Sequence, residues 1–127
     1  FPDHQVLCVA GDGDFLMNGQ ELATAAQYGA DLLVIVVDNA SYGTIRMHQE
    51  RDYPARISAT DLRSPDFAAL ARAFGGWAAT VERTEEYAPA LAQAQQRKGI
   101  RLLHVRTDVE VISNQITISA LREKAKG

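Results

Sequence analysis

Two short polar clusters contain the residues of this 127-residue chain that are best suited to chemistry. The first is Gly11-Asp12-Gly13-Asp14, the second is Asp38-Asn39-Ala40-Ser41, and each follows an apolar run. Asp12 offers a carboxylate, Asn39 offers an amide oxygen, and a nearby main-chain carbonyl offers a third oxygen. Mg²⁺ prefers hard oxygen ligands of this kind and completes its octahedral shell with phosphate oxygens and water. The residue types therefore indicate a divalent cation that bridges the chain to a phosphate group.

The glycines beside Asp12 favour the same interpretation. Because glycine has no Cβ, the backbone at Gly11 and Gly13 can approach a ligand closely and turn amide N–H groups toward an anion. A dinucleotide fingerprint would share these two glycines but would need a third where this chain has Leu16. Asp12 and Asn39 are also ordinary turn residues after strands, so a purely structural role stays open at this point.

Four runs of residues predict the β-strands that carry these clusters. The predicted strands are Gln5–Ala10, Leu32–Val37, Trp77–Val81 and Arg101–Arg106. The run Leu32–Val37 is continuous and β-branched, which is typical of a strand covered on both faces in a parallel sheet. Helical patterns separate the strands, so we predict an α/β fold with a mostly parallel sheet and helices on both faces. Ligands of such sheets bind outside the carboxyl ends of the strands, where both polar clusters lie.

Capping residues predict where helices begin. Asn18 and Glu21 have the spacing of a capping box, Ser64–Phe67 places a proline at a first helical position, and Thr84–Glu86 opens a third helix. The stretch Met47–Arg63 breaks the alternation of strands and helices, and we expect it to be irregular. Loops of that length in compact domains are usually functional or mobile.

Composition excludes several classes of function. Thirteen Lys and Arg against sixteen Asp and Glu give a formal net charge of −3, so the chain lacks the basic excess that binds nucleic acid. The longest apolar run is far too short to span a bilayer, so we expect no membrane partner. With a single cysteine, Cys8, and no secretory signal at its start, the chain is expected to be cytoplasmic.

The cysteine and the histidines carry less information. Cys8 is expected to be a small buried residue on the first strand. His104 lies within a predicted strand and has no partner that suggests chemistry. His48 leaves two interpretations open, a substrate-facing acid–base group or a surface-loop imidazole.

Around both clusters the chain resembles a known enzyme family. Gly11-Asp12-Gly13, followed after a suitable interval by Asp38-Asn39, is similar to the thiamine diphosphate motif of enzymes such as acetolactate synthase and benzoylformate decarboxylase. The similarity covers most of residues 1–50 closely and the remainder of the chain by element order. The other matching residues are Phe15, Met17-Asn18, the run Gln20–Ala25, Tyr42-Gly43 and Arg46.

The resemblance implies a role for each matching residue. The metal ligands would be the side chains of Asp12 and Asn39 and the backbone carbonyl of Ser41. Thr44 and His48 fall where relatives place side chains that face the substrate, and no other catalytic residue is assigned. The cofactor-binding residues would be Gly11, Asp12, Gly13, Asp14, Asn39, Ser41, Tyr42 and Gly43.

The chain departs from the family pattern at several positions. Relatives commonly have a second asparagine where this chain has Asp38, so Asp38 is expected to lie behind the metal ligands. Asp14 brings a carboxylate near an anion, and its side chain is expected to turn away because like charges repel. Thr44 and His48 stand where acetolactate synthases usually have Met and Trp, and Ile45 stands where pyruvate decarboxylases tend to have Glu. The specific activity therefore stays open.

The same resemblance implies what the whole enzyme does. Residues 1–127 would form the C-terminal part of a thiamine diphosphate-binding domain, incomplete at its amino terminus, with the pyrimidine-binding and central domains absent. Thiamine diphosphate and Mg²⁺ would be the cofactors of a lyase or transferase that decarboxylates or ligates a small 2-oxo acid. The pyrimidine-binding domain of a second subunit would complete the site, which implies a homodimer or homotetramer and an inactive isolated fragment.

A second hypothesis comes from a different class of protein. The same sheet could serve as a non-catalytic regulatory module that binds a metal–phosphate group or a nucleotide. An upstream domain with a suitable glutamate would favour the enzyme, whereas a stand-alone reading frame that starts near Phe1 would favour the module.

Overall fold

The computed structural model describes residues 4–113 and 115–126, and four of its strands form a single parallel sheet. These strands are β1 (Val6–Gly11), β2 (Leu32–Asp38), β3 (Trp77–Val81) and β4 (Ile100–Arg106). Their order in the sheet is β1-β2-β4-β3, and all three pairings are parallel. The predicted strands and parallel sheet are therefore confirmed, with small shifts at the strand ends.

The helices in the described part of the chain lie between and after these strands. They are α1 (Asp12–Asn18), α2 (Leu22–Gln27), α3 (Gly43–Asp52), α4 (Phe67–Ala73), α5 (Thr84–Gln95) and α6 (Ile118–Lys126). A 3-10 turn, Gly19–Glu21, joins α1 to α2. Among residues 4–113 and 115–126, no helix has the length and apolar character needed to cross a membrane.

Helices cover both faces of the sheet, as predicted. Successive side chains of a strand point to opposite faces, and alternate residues of β2 accordingly enter two separate cores. Val34 and Val36 pack in one core with residues of α1, α2 and α4, and Leu33 and Ile35 pack in the other with residues of α5. Cys8, which the sequence predicts to be buried, is exposed. The physical reason is that β1 is an edge strand whose residues are mostly exposed.

The helix α1, which begins at Asp12 directly after β1, was not predicted from the sequence. Asn18 does stand at the N-cap position of the 3-10 turn that leads into α2, as predicted, but its side chain makes no cap hydrogen bond, so the capping box does not form. Glu21 instead accepts a hydrogen bond from the Thr24 hydroxyl at 2.7 Å. The Glu21 side chain therefore bonds forward to Thr24 in α2 and not back to the Asn18 backbone, as a capping box would require.

The start of α4 also differs from its prediction. The capping residue is Asp66, whose Oδ1 accepts a hydrogen bond from the Ala69 amide at 2.8 Å. The helix begins at Phe67, and Ser64 lies outside it. The Ser64 hydroxyl is engaged elsewhere, in a contact with Asp38.

The chain divides into two compact units. The sheet unit comprises Phe1–Asp38 and Ser64–Arg106, and the α3–α6 unit comprises Asn39–Arg63 and Thr107–Gly127. In the α3–α6 unit, α3 packs against α6. The prediction of an irregular stretch from Met47 is wrong at its start, because α3 continues to Asp52. Packing against α6 stabilises this helix, and a sequence pattern confined to α3 does not show that contact.

A buried ion pair joins the two helices of the α3–α6 unit. Glu50 is 0% exposed, and the Arg122 guanidinium donates hydrogen bonds to both of its carboxylate oxygens. The Ala55 amide donates a third hydrogen bond at 2.8 Å. These contacts, led by the Arg122 hydrogen bond, outweigh the effect of burial and lower the pKa of Glu50 to about 2.

We expect α6 to loosen from α3 in acid, because protonation of Glu50 removes the charge that Arg122 binds. The ordinary pKa of this carboxyl is 4.5 and its folded value is about 2. The ion pair therefore contributes its full stabilisation at pH values above the ordinary pKa, and this stabilisation is lost as the pH falls toward the folded pKa. Hydrogen exchange should show lower protection factors for the α6 amides at about pH 3 than at about pH 6.

The matched control is Arg122→Ala, which removes the partner and leaves Glu50 without its main stabilising contact. In this variant α6 should already exchange faster at the higher pH and should lose little further protection in acid. The same pH dependence of α6 protection in both proteins would contradict the role of this ion pair.

Candidate functional site

The candidate site begins at the carboxyl edge of the sheet. β1 and β2 pair in parallel with Gly11 beside Val37. Asp12 follows β1 immediately, and Asp38 is the last residue of β2. The prediction that the two polar clusters follow neighbouring strands at one edge of the sheet is therefore confirmed.

Asp12 is a buried carboxylate with a fixed orientation. It is 3% exposed, and its Oδ1 accepts a hydrogen bond from the Gly13 amide at 2.8 Å. Its Oδ2 lies 3.4 Å from the Ser64 hydroxyl oxygen. A buried carboxylate is unfavourable without such partners. The Gly13 N–H, which the sequence suggested could face an anion, is thus directed at Asp12.

The side chain of Asp14 folds back on the loop that precedes it. Asp14 is exposed, and its Oδ2 accepts a hydrogen bond from the Gly11 amide at 3.3 Å. A Cβ at residue 11 would come within 3.1 Å of this carboxylate oxygen, which explains why a glycine suits that position.

Sequence reasoning missed two residues of this site, Ser64 and His104. His104 is 1% exposed on β4, and its Nε2 lies 2.7 Å from Asp38 Oδ2. The Ser64 hydroxyl donates to Asp38 Oδ1 at 2.7 Å. The expectation that His104 lacks a relevant partner is therefore wrong. The sequence does show a histidine, His104, within the otherwise apolar part of β4. Its partner could not be predicted, because the contact with Asp38 depends on β4 lying beside β2.

In the α3–α6 unit, the residues of the second polar cluster that follow Asp38 form a tight turn before α3. Asn39 Oδ1 accepts a hydrogen bond from the Ser41 amide at 3.0 Å, and the Ser41 carbonyl accepts one from the Gly43 amide at 2.8 Å. Ala40 has a φ of 53°, in the left-handed region that is uncommon for residues other than glycine. Tyr42, with φ −70° and ψ 72°, has the backbone of an inverse γ-turn. The turn therefore holds Asn39 and Ser41 in a defined and locally strained geometry.

The segment that follows α3 folds back and supports this turn. The Tyr42 amide donates to the Thr60 carbonyl at 2.9 Å, and the Leu62 amide donates to the Ala40 carbonyl at 2.8 Å. The Ser41 hydroxyl donates to the same Thr60 carbonyl at 2.9 Å. Strained backbone persists when surrounding contacts determine it, and such strain often occurs at functional sites.

Gly43 provides the space that the Asn39 side chain occupies. A Cβ at residue 43 would lie 2.8 Å from Asn39 Nδ2, closer than such atoms approach one another. The position therefore requires glycine if Asn39 is to keep this orientation.

The oxygen donors present suit a hard divalent cation. A carboxylate, an amide oxygen and a backbone carbonyl are ligand types that Mg²⁺ accepts. Within residues 4–113 and 115–126, no group of three or more His, Cys, Asp and Glu side chains could hold a metal ion.

The substrate-facing candidates lie on α3. Thr44 and His48 are both exposed, and their spacing of one helical turn places them on the same face of the helix. Ile45 is 54% exposed beside them. His48 lies on the helix α3 and not on a loop, so the interpretation as a surface-loop imidazole is wrong.

The fold and these residues define an α/β cofactor-binding domain. Residues 1–105 match the family described as "Thiamine pyrophosphate enzyme, C-terminal TPP binding domain". The chain belongs to this family, and the resemblance seen in the sequence is confirmed.

Similar proteins include acetolactate synthases and a decarboxylase. Acetolactate synthase of Arthrospira platensis is 41% identical over 107 residues, which cover 83% of this chain and 18% of that protein. The acetolactate synthase isozyme 2 large subunit of Escherichia coli (strain K12) is 37% identical over 108 residues, covering 84% of this chain and 20% of that protein.

A solved structure shares the fold of the chain. The thiamine diphosphate-dependent 4-hydroxybenzoylformate decarboxylase of Rhodococcus jostii RHA1 matches with a TM-score of 0.77 and 29% identity, over 84% of this chain and 20% of that one. The chain thus spans about a fifth of the length of these relatives.

We expect Gly43→Ala to displace the Asn39 side chain and leave the helix intact. The new Cβ would collide with Asn39 Nδ2, so the hydrogen bond from the Ser41 amide to Asn39 Oδ1 should weaken. Hydrogen exchange at the Ser41 amide should rise about tenfold, equivalent to about 1.4 kcal/mol, the net value of one such bond.

The neighbouring variant Thr44→Ala adds no atom near Asn39 and should leave this exchange rate unchanged. Unchanged exchange at Ser41 in Gly43→Ala would show that glycine is not needed to keep Asn39 in place.

Proposed function

We propose that this chain is the Mg²⁺-dependent thiamine diphosphate-binding domain of an acetolactate synthase-like 2-oxo acid decarboxylase or carboligase. One observation carries the proposal: residues with hard oxygen donors directly follow two neighbouring parallel strands. Asp12 follows β1, and Asn39 follows β2 in the chain. Family membership supports the same cofactor.

Asp12, Asn39 and Ser41 are the proposed metal ligands. Their three oxygens leave octahedral positions for diphosphate oxygens and water, which is how Mg²⁺ is commonly bound. Hydrogen bonds from its neighbours orient the Asp12 carboxylate. The turn before α3 fixes the Asn39 side chain and the Ser41 carbonyl. Each proposed ligand is therefore preorganised within its own unit.

The diphosphate would be lined by the backbone of Gly11, Gly13, Asp14, Tyr42 and Gly43. The amino terminus of a helix attracts anions because its dipole is positive there, and Gly43 is the first residue of α3. Bound thiamine diphosphate supplies the nucleophilic carbon and the electron sink for reaction at a 2-oxo acid.

The remaining parts of the site would come from outside this chain. We propose that the pyrimidine-binding domain of a second subunit completes the site, that the whole enzyme is a homodimer or homotetramer in the cytoplasm, and that this chain alone does not turn over substrate. Thr44 and His48 are the side chains proposed to face the 2-oxo acid, because both are exposed on one face of α3.

Asp12→Asn should weaken binding of thiamine diphosphate in the presence of Mg²⁺. The change keeps the size of the side chain and removes a charged ligand, so we expect at least a 100-fold higher Kd, or about 2.7 kcal/mol. Glu85→Gln is the control, since it removes the same charge from an exposed residue of α5 in the sheet unit, and it should change the Kd by less than about threefold. Calorimetric titration of the full-length gene product measures both values.

Two results of this titration would contradict the proposal. One is cofactor binding that does not depend on Mg²⁺, and the other is an equal loss in both variants. Tighter binding of an adenine nucleotide than of thiamine diphosphate would instead favour a regulatory nucleotide-binding module.

His48→Gln should alter the use of substrate and spare the binding of cofactor. We expect kcat/KM for the preferred 2-oxo acid to fall at least tenfold, or about 1.4 kcal/mol, while the Kd for thiamine diphosphate stays unchanged. His4→Gln makes the same substitution at an exposed position of the sheet unit and should change neither quantity. An unaltered kcat/KM in His48→Gln would remove His48 from the substrate site.

A further inference from the structure

We propose that Ser64 positions the Asp12 carboxylate for metal binding and that Asp38 and His104 hold Ser64 in place. This inference rests on the proposed role of Asp12 as a metal ligand. All four residues belong to the sheet unit.

The Ser64 hydroxyl lies between two buried carboxylates. Its oxygen is 2.7 Å from Asp38 Oδ1 and 3.4 Å from Asp12 Oδ2. A hydroxyl has one hydrogen to donate, which lies nearer Asp38 in the shorter contact and is shared with Asp12 across the longer one. Asp38 therefore fixes the hydroxyl oxygen, and Asp12 Oδ2 rests against a group that cannot rotate freely. Pro65 follows Ser64 in the chain and further restricts its backbone to extended conformations.

Asp38 is in turn held at both of its oxygens. Ser64 donates to Oδ1, and His104 Nε2 donates to Oδ2 at 2.7 Å. Asp38 is 6% exposed, and hydrogen bonds to a charged acceptor away from water are stronger than neutral ones. Donation to Asp38 requires a hydrogen on Nε2. In the part of the chain that the structure describes, His104 Nδ1 is buried without a hydrogen-bond partner.

Aromatic packing anchors this network in the core. The His104 ring meets the Phe67 ring edge to face, with centroids 5.1 Å apart, and Phe67 is fully buried. This packing fixes the plane of the imidazole ring, and the hydrogen bond from Nε2 then fixes the orientation of the Asp38 carboxylate. A continuous set of contacts then runs from the core through His104, Asp38 and Ser64 to Asp12.

The placement of Asp12 and Asp38 around Ser64 is better explained by cation binding than by a contribution to folding stability. Two buried carboxylates around one hydroxyl repel each other, and a cation bound by Asp12 would offset that repulsion. Groups that orient a metal ligand without touching the metal typically change metal affinity 10–100-fold when they are removed. Ser64 is the residue through which Asp38 and His104 reach Asp12, so it should have an effect of this size.

The test is a titration with Mn²⁺ of the full-length gene product saturated with thiamine diphosphate, in which paramagnetic resonance measures the free ion. Ser64→Ala should raise the Kd for Mn²⁺ about 10–100-fold. Ser64→Thr keeps the hydroxyl and should restore the Kd to within about threefold of the wild-type value. Ser119→Ala removes an exposed hydroxyl on α6 and should have no effect.

Asp12→Asn, included in the same titration, separates the two proposals. Unchanged Mn²⁺ affinity in Asp12→Asn would refute the ligand role and this inference with it. Lost affinity in Asp12→Asn with wild-type affinity in Ser64→Ala would overturn only the positioning role. Equal losses in Ser64→Ala and Ser64→Thr would also overturn it, because the hydroxyl would then not matter.

A second variant keeps the test informative if Ser64→Ala does not fold, as judged by the unfolding midpoint of the metal-free protein. His104→Gln removes the ring that holds Asp38, which in turn holds Ser64, and it should raise the Kd for Mn²⁺ about tenfold. An unchanged Kd in a folded His104→Gln protein would overturn the inference.

Discussion

The parallel pairing of β1 with β2 is the constraint on which the candidate site depends. Because Gly11 lies beside Val37, the two strands end together, and Asp12 and Asp38 emerge at the same edge of the sheet. Apolar packing fixes this register, since a shift of one residue would turn every side chain of β2 to the opposite face. Residues of β2 are buried in a core on each face, so a shift would disturb both cores. The position of the polar residues is thus a consequence of hydrophobic burial along the strand.

Charge placed at this edge has to be compensated, and the structure uses hydrogen-bond donors to do so. The carboxylate of Asp38 is bonded by a hydroxyl and an imidazole, and that of Asp12 is bonded by a backbone amide. Bonds of this kind orient the carboxylates before a cation binds. In the α3–α6 unit, the strained Ala40 and the required Gly43 hold Asn39 and Ser41 by backbone geometry. Each unit therefore presents oxygen donors whose orientation is set before any ligand arrives.

The sequence was sufficient to predict the strands, the parallel sheet and the family, because apolar runs and the Asp12 and Asn39 clusters are local signals. Features that depend on strand order were not predictable. Cys8 is exposed because β1 is an edge strand, and His104 meets Asp38 because β4 lies beside β2, although 66 residues separate the pair in the chain. The length of α3 depends in a similar way on its contact with α6. The metal ligands themselves stay predictions.

Anomalous diffraction from Mn²⁺ tests the central claim most directly. Crystals of the full-length gene product grown with Mn²⁺ and thiamine diphosphate should show one strong peak beside the diphosphate. That peak is expected about 2.2 Å from an Asp12 carboxylate oxygen, from Asn39 Oδ1 and from the Ser41 carbonyl oxygen, close to the distances of hard octahedral cations. A diphosphate-bound ion held by other residues, with Asp12 and Asn39 out of coordination range, would contradict the claim.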